Sequence, residues 1–135
     1  ESQASFYVAS YDVKENIVIA SLKFWQQQNW KIYWRISGDA GIAPSFDWTG
    51  TKNAERIIVN WPTPKRLVEH KSIEAFIYEG DVVLPIYIVP KDITKPLEIK
   101  LNIDYSVCNF ICIPLSTNLT HKIIPGEINK AYLQE

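Results

Sequence analysis

Methionine is absent from the chain, histidine occurs twice, and cysteine occurs only as one close pair. Nearly all net charge is missing too, at −1 over 135 residues. A partner held by its phosphate backbone would want a basic surface, so nucleic acid is not expected. Apolar runs are short, and none approaches the roughly 20 residues that span a bilayer. The chain starts at Glu1 without methionine, as a processed or trimmed piece would, with any signal peptide or membrane segment outside it. Internal repeats and low-complexity tracts are lacking. Helical periodicity is lacking as well, except from Gly126 onward, where Ile128 and Leu133 fit one side of a short helix.

What is present reads as one globular domain. Hydrophobic residues make up 47% and charged residues 21%, enough to form and solvate a core. Period-two patterns dominate. Leu97, Ile99, Leu101 and Ile103 alternate with Glu98, Lys100, Asn102 and Asp104, which predicts a strand with one face buried. Even positions from Val18 to Phe24 are apolar, and Ile32, Trp34 and Ile36 share a face. The segment from Val82 to Val89 is apolar on both faces and reads as a central strand, although Pro85 favours an edge or a bulge. Ile57 to Val59 adds a shorter strand. Turn chemistry falls at residues 37–41, 49–51 and 79–81. Seven or eight short strands so spaced predict an all-β antiparallel sandwich over residues 1–122, with 123–135 as a tail or linker.

The cysteines, Cys108 and Cys112, enclose Asn109-Phe110-Ile111. A crosslink over so short a loop stabilises by only ~2 kcal/mol, against ~4.7 for a loop of about 100 residues. A dithiol that opens and closes is therefore one explanation, and a small structural disulfide or two buried thiols is another. Four residues of extended strand cover ~13 Å, whereas a disulfide needs Cα atoms ~4.4–6.8 Å apart. The chain must therefore fold back over the three intervening residues or make one helical turn. Apolar Phe110 and Ile111 predict a turn packed against something. In thiol–disulfide exchange one cysteine would form a mixed disulfide and the other would resolve it. No Lys, Arg or His lies within four residues of either cysteine, so a residue distant in sequence would have to stabilise a thiolate. A Cu(I) site on two soft sulfurs is a third reading, while zinc would want four ligands. His70 and His121 are isolated and read as surface residues. A persistent disulfide would need an oxidising compartment such as the periplasm.

Other conspicuous residues have simple readings. Trp34, Trp48 and Trp61 fit a sandwich core. Tyr33 lies on the opposite strand face from Trp34 and can approach the cysteines. Asp39, Glu79 and Asp81 suit turns, and a carboxylate near a thiol would raise the thiol pKa. Asn118-Leu119-Thr120 is a glycosylation sequon by pattern alone.

Six segments in order resemble one family: residues 30–35 (Trp-Lys-Ile-Tyr-Trp-Arg), 38–41 (Gly-Asp-Ala-Gly), 46–48 (Phe-Asp-Trp), 61–66 (Trp-Pro-Thr-Pro-Lys-Arg), 78–85 (Tyr-Glu-Gly-Asp-Val-Val-Leu-Pro) and 107–114 (Val-Cys-Asn-Phe-Ile-Cys-Ile-Pro). Over roughly residues 6 to 120 the chain resembles the amino-terminal periplasmic domain of DsbD-type thiol:disulfide interchange proteins, and more closely the ScsB-like branch. The resemblance implies an immunoglobulin-like sandwich with a redox-active Cys108–Cys112 pair and no cofactor. It implies a periplasmic location, with tethering to the inner membrane in the full-length protein. Reducing equivalents would pass from a membrane-embedded reductase domain, in cis or in trans, to a periplasmic thioredoxin-fold partner that maintains client disulfides or matures cytochromes. Cys112 would form the mixed disulfide. A cap would come from residues 73–76, so that Phe76, Tyr78, Glu79, Phe110 and Tyr33 surround the site. Many relatives would have Tyr-Gly-Tyr where Phe76-Ile77-Tyr78 stands, and the best-known branch spaces its cysteines more widely. The contrasting expectation is a noncatalytic immunoglobulin-like interaction module stiffened by its disulfide.

Overall fold

The computed structural model describes residues 2–38, 43–69 and 73–128. Ten strands follow one another: β1 (Ser2–Asp12), β2 (Ile17–Gln26), β3 (Lys31–Gly38), β4 (Ser45–Asp47), β5 (Ala54–Val59), β6 (Lys65–Glu69), β7 (Ile73–Glu79), β8 (Val82–Pro90), β9 (Leu97–Cys108) and β10 (Cys112–Ile123). All their pairings are antiparallel. One sheet runs β1-β2-β8-β5 and the other β10-β9-β3-β7-β6, with β4 paired to β9. This is the expected antiparallel sandwich.

The alternating patterns become the core. Val18, Ala20, Leu22 and Phe24 of β2 face Leu97, Ile99, Leu101 and Ile103 of β9, joined by Leu84, Ile86 and Ile88 of β8. No charged or polar side chain is buried among the described residues, so the interior is held by apolar burial. Trp34, Trp48 and Trp61 pack against this core as half-buried residues, and Trp61 stacks on Phe46 with ring centres 5.4 Å apart.

Turn residues close the hairpins. Asp12 Oδ1 accepts the N–H groups of Lys14 and Glu15 after β1, and Asn16 then takes φ 56°, a conformation that asparagine tolerates. Gly80 takes φ 67° between β7 and β8, where the sequence predicts a turn.

Pro85 differs from its expected edge position. It lies in β8, between β2 and β5. The register explains how a central strand tolerates it. Asn60, one residue past the end of β5, donates its N–H to the Pro85 carbonyl at 2.8 Å. The N–H that proline lacks would point the same way, toward Asn60, so only one rung is lost, and it falls where β5 ends.

After β10 the chain enters a 3-10 turn at Pro125–Glu127, and Ile128 is fully buried in the core. Leu133 lies outside the described residues, as do Asp39 and His70.

Core and hairpin tip should respond differently to truncation. In urea unfolding, Ile103→Ala, at a fully buried site, should lose about 2–5 kcal/mol. Ile111→Ala, at an exposed one, should stay within about 0.5 kcal/mol of wild type.

Candidate functional site

Cys108 ends β9 and Cys112 begins β10, and the two are register partners. The chain folds back over Asn109, Phe110 and Ile111. Asn109 closes this turn twice, its N–H donating to the Ile111 carbonyl at 2.9 Å and its Oδ1 accepting the Ile111 N–H at 3.2 Å. The fold-back alternative is thus the one realised, and the cysteines form a disulfide with Cα atoms 4.1 Å apart.

The two sulfur-bearing residues differ sharply in exposure. Cys108 is 1% exposed, whereas Cys112 is exposed. The cause is topological: β9 is flanked by other strands, while β10 ends its sheet. Cys108 lies on the sheet face turned away from the main core. There it packs with Tyr33 of β3 and with Ala75 and Ile77 of β7, and Leu67 of β6 borders the cluster. Tyr33, at 7% exposure, thus reaches the cysteine as its strand face suggests.

Phe76 and Tyr78 fall on the other face of β7, because side chains alternate along a strand. Phe76 meets the edge of the Trp34 ring at 5.6 Å, and Tyr78 enters the main core. Their neighbours Ala75 and Ile77 cover Cys108 instead. The segment expected to cap the pair begins β7 and pairs with β6; residues 70–72 lie outside the described residues. Ile77, where many relatives would have glycine, is an ordinary strand residue opposite Tyr33.

Phe110 also departs from expectation. The turn is not packed against the described residues. Phe110 is fully exposed, Ile111 is 65% exposed and Ile113 39%. An exposed aromatic of this size forgoes about 1.5–3 kcal/mol of burial free energy. The disulfide therefore sits at an apolar tip. Beside it, on the Cys108 face, a groove of about 350 Å³ runs between Ala43 and Ser45 on one side and Pro114 to Ser116 on the other.

Charge near the pair comes from across the sheet. Lys31 of β3 is the register partner of both Cys108 and Glu79, so one row reads Glu79, Lys31, Cys108, Cys112. Directly opposed Cβ atoms lie about 4.5–5.5 Å apart. The register thus puts a basic residue across from Cys108. Sequence inspection missed Lys31 because 77 positions separate it from Cys108; only the strand order brings them together. Glu79 is engaged by Lys65 at 2.7 Å. That hydrogen bond and charge, with Lys31 adding a smaller pull, hold its carboxyl below the usual carboxylate range. Among the described residues no three His, Cys, Asp or Glu side chains gather as a metal site.

The geometry agrees with comparisons to known proteins. The sequence profile of the family "Thiol:disulfide interchange protein DsbD, N-terminal" matches residues 2–123. The amino-terminal periplasmic domain of ScsB from Proteus mirabilis superposes with a TM-score of 0.67 and 25% identity over 98% of this chain and 51% of that one. The chain thus spans about half the length of that relative. The reduced DsbD amino-terminal domain of Neisseria meningitidis gives a TM-score of 0.55 at 10% identity, covering 88% of this chain and 82% of that one. This second likeness supports the immunoglobulin-like fold alone. No curated protein sequence matches.

One titration reports on the scaffold beneath the site. Burial pushes the Tyr78 phenol up to about 12 from 10.0, against a smaller opposing pull from Arg35. Its hydroxyl donates to the Pro62 carbonyl at 2.7 Å. A phenol whose folded pKa is raised keeps its contribution below its unfolded pKa and loses it as pH rises toward the folded one. At about pH 8, Tyr78→Phe should be less stable than wild type by about 0.5–1.5 kcal/mol. In urea titrations that gap should close between pH 10 and 12. A gap that stays constant would remove the assigned role of the phenol.

Proposed function

The chain belongs to the family of DsbD amino-terminal domains, and on that premise we propose that it exchanges its disulfide with a thioredoxin-fold partner in the periplasm, with Cys112 as the sulfur the partner meets. The observation that carries this reading is the contrast between an exposed Cys112 and a Cys108 that is 1% exposed. Exchange requires a thiolate to approach a sulfur directly, so access selects which one is attacked.

The steps balance as follows. A reduced donor's thiolate attacks Cys112 Sγ, the bond between Cys112 and Cys108 breaks, and Cys108 leaves as a thiolate. The donor's second thiolate then attacks its own disulfide-bonded sulfur and releases Cys112. The donor is oxidised by two electrons and the domain is reduced by two. In the forward reaction the Cys112 thiolate attacks the disulfide of a downstream partner. Cys108 then attacks Cys112 Sγ, expelling the reduced partner and restoring the disulfide. The neighbouring thiol acts at high effective concentration, and the chemistry draws on no cofactor.

Lys31 fits the leaving-group role, since its strand position pairs with that of Cys108 and a cation near a thiolate favours it. Tyr33, Ala75 and Ile77 keep that thiolate from chance oxidants. In the cell, the donor is a membrane-embedded reductase, in the same chain or another, and the full-length protein is held at the inner membrane.

Cysteine variants test the assignment. Cys108→Ser should accumulate a mixed disulfide with a thioredoxin-fold protein through Cys112, at least about tenfold more than Cys112→Ser does through Cys108. Predominant capture through Cys108 would overturn the order of attack. A redox titration separates the alternative of a stiffening disulfide, for which the potential would fall below about −300 mV.

A further inference from the structure

On β9 the residues that face away from the main core are wet along most of the strand. Lys100, Asn102 and Asp104 are exposed, and Ser106 is half-buried. Cys108 continues this row, yet it is 1% exposed. Its cover comes from two other strands, as Tyr33 of β3 and Ala75 and Ile77 of β7. Ile77 is the largest aliphatic group of the buried cluster and is itself 1% exposed. It sits between its register partners Lys65 and Tyr33. Apart from the Tyr33 hydroxyl, the wall around Cys108 is hydrocarbon. Such surroundings disfavour a thiolate, because the charged form loses its water.

Charged groups on the same sheet face pull in both directions. β3 brings Lys31, the register partner of Cys108, and the Tyr33 phenol. Arg35, further along β3, lies over the Trp34 ring at 5.2 Å. β7 brings Glu79, which pairs with Lys31 in register and with Lys65 of β6 at 2.7 Å. β9 itself carries Asp104 four residues away, hydrogen-bonded by Ser116. β10 adds no charge on this face near the pair, where Pro114 and Ser116 follow Cys112. An opposite charge close by lowers a pKa by roughly 1–3 units, whereas full burial raises that of a thiol by up to about 3–5. Lys31 also shares its pull with the Glu79 carboxylate in the same row. Desolvation is therefore the larger influence on Cys108.

We propose that Ile77 is a positioning residue for exchange: by keeping water from Cys108 it holds that sulfur as a neutral thiol in the reduced domain, so that closure by Cys108 is the pH-limited step. The proposal rests on the exchange reading above and adds a control on its second half. Closure begins when the Cys108 thiol loses its proton to solvent. The thiolate attacks Cys112 Sγ, the bond from Cys112 to the partner sulfur breaks, and the partner leaves as a thiolate. Over both steps the domain's two thiols give up two electrons and the partner disulfide takes them. Below the Cys108 pKa the thiolate fraction falls tenfold per pH unit, so a partner bound to Cys112 is held longer at neutral pH than an ordinary thiol would hold it.

Two-phase kinetics give the test. The reduced domain is mixed with excess dithiobis(nitrobenzoate), and released nitrothiobenzoate thiolate is followed by stopped-flow absorbance. The first release reports attack by Cys112. The second reports closure by Cys108 and is independent of reagent concentration. In the wild-type domain the second rate constant should climb about tenfold per pH unit from pH 6 to 8 and level off only above about 8.5, the ordinary thiol value. Ile77→Ala should move that midpoint down, making closure about three- to tenfold faster at pH 7 and no faster on the alkaline plateau, with the first phase unchanged. Ile77→Val, which keeps most of the cover, should fall between, and Lys31→Gln should move the midpoint up. A wild-type plateau reached at or below pH 8.5 would overturn the proposal. So would an Ile77→Ala acceleration that is equal at every pH, since that is the mark of loosened packing alone. Absence of any second release from the wild-type domain would instead overturn the exchange reading, and this proposal with it.

Discussion

The register of the β9–β10 hairpin is the constraint from which the rest follows. It sets Cys108 opposite Cys112 at the boundary between an enclosed strand and an edge strand. A slip of one residue would move every side chain of β10 to the other face and separate the sulfurs. The register is held along twelve paired positions, and on the β9 side by Leu97, Ile99, Leu101 and Ile103, all of them anchored in the core. The disulfide itself closes too short a loop to be the main support of the fold, at ~2 kcal/mol. The scaffold positions the bond more than the bond stabilises the scaffold.

Alternation along the strands then divides labour between two faces. On β7, Tyr78 strengthens the main core, while Ala75 and Ile77, on the opposite face, enclose Cys108 with Tyr33. On β3, Ile32 goes inward, while Lys31 and Tyr33 share the cysteine face. A second, small apolar cluster thus forms on the outer side of one sheet. It shelters one sulfur and leaves the other beside an uncovered Phe110. The contrast in exposure is built from strand order and side-chain parity, without a specialised loop among the described residues.

Much of the frame was legible in the sequence because burial on one face of a strand leaves a period of two. β2 and β9 are plain in this respect, and β8 reads correctly as central because both of its faces are apolar. β10 went unread, although Leu115, Leu119 and Ile123 repeat every fourth residue between polar neighbours. Its edge position leaves those residues only half-buried, so the signal is weak where the site is built. The sequence reading misses β1, β4, β6 and β7 as well. The cysteine pair was conspicuous from spacing alone. The unequal exposure of its members was not, since it depends on which strand lies at an edge. Lys31 and the cover from Ala75 and Ile77 depend likewise on contacts between strands distant in the chain. Phe76 and Tyr78 drew attention as conspicuous aromatics, but parity gives the cysteine face to their plainer neighbours.

The central claim is that one sulfur of the pair is accessible and the other is enclosed. Competitive alkylation of the freshly reduced protein by limiting iodoacetamide, read by peptide mass spectrometry, tests it most directly. The account predicts that Cys112 is labelled at least about tenfold faster than Cys108 under native conditions, with the difference vanishing in denaturant. Equal labelling of the two in the folded protein, or faster labelling of Cys108, would contradict it.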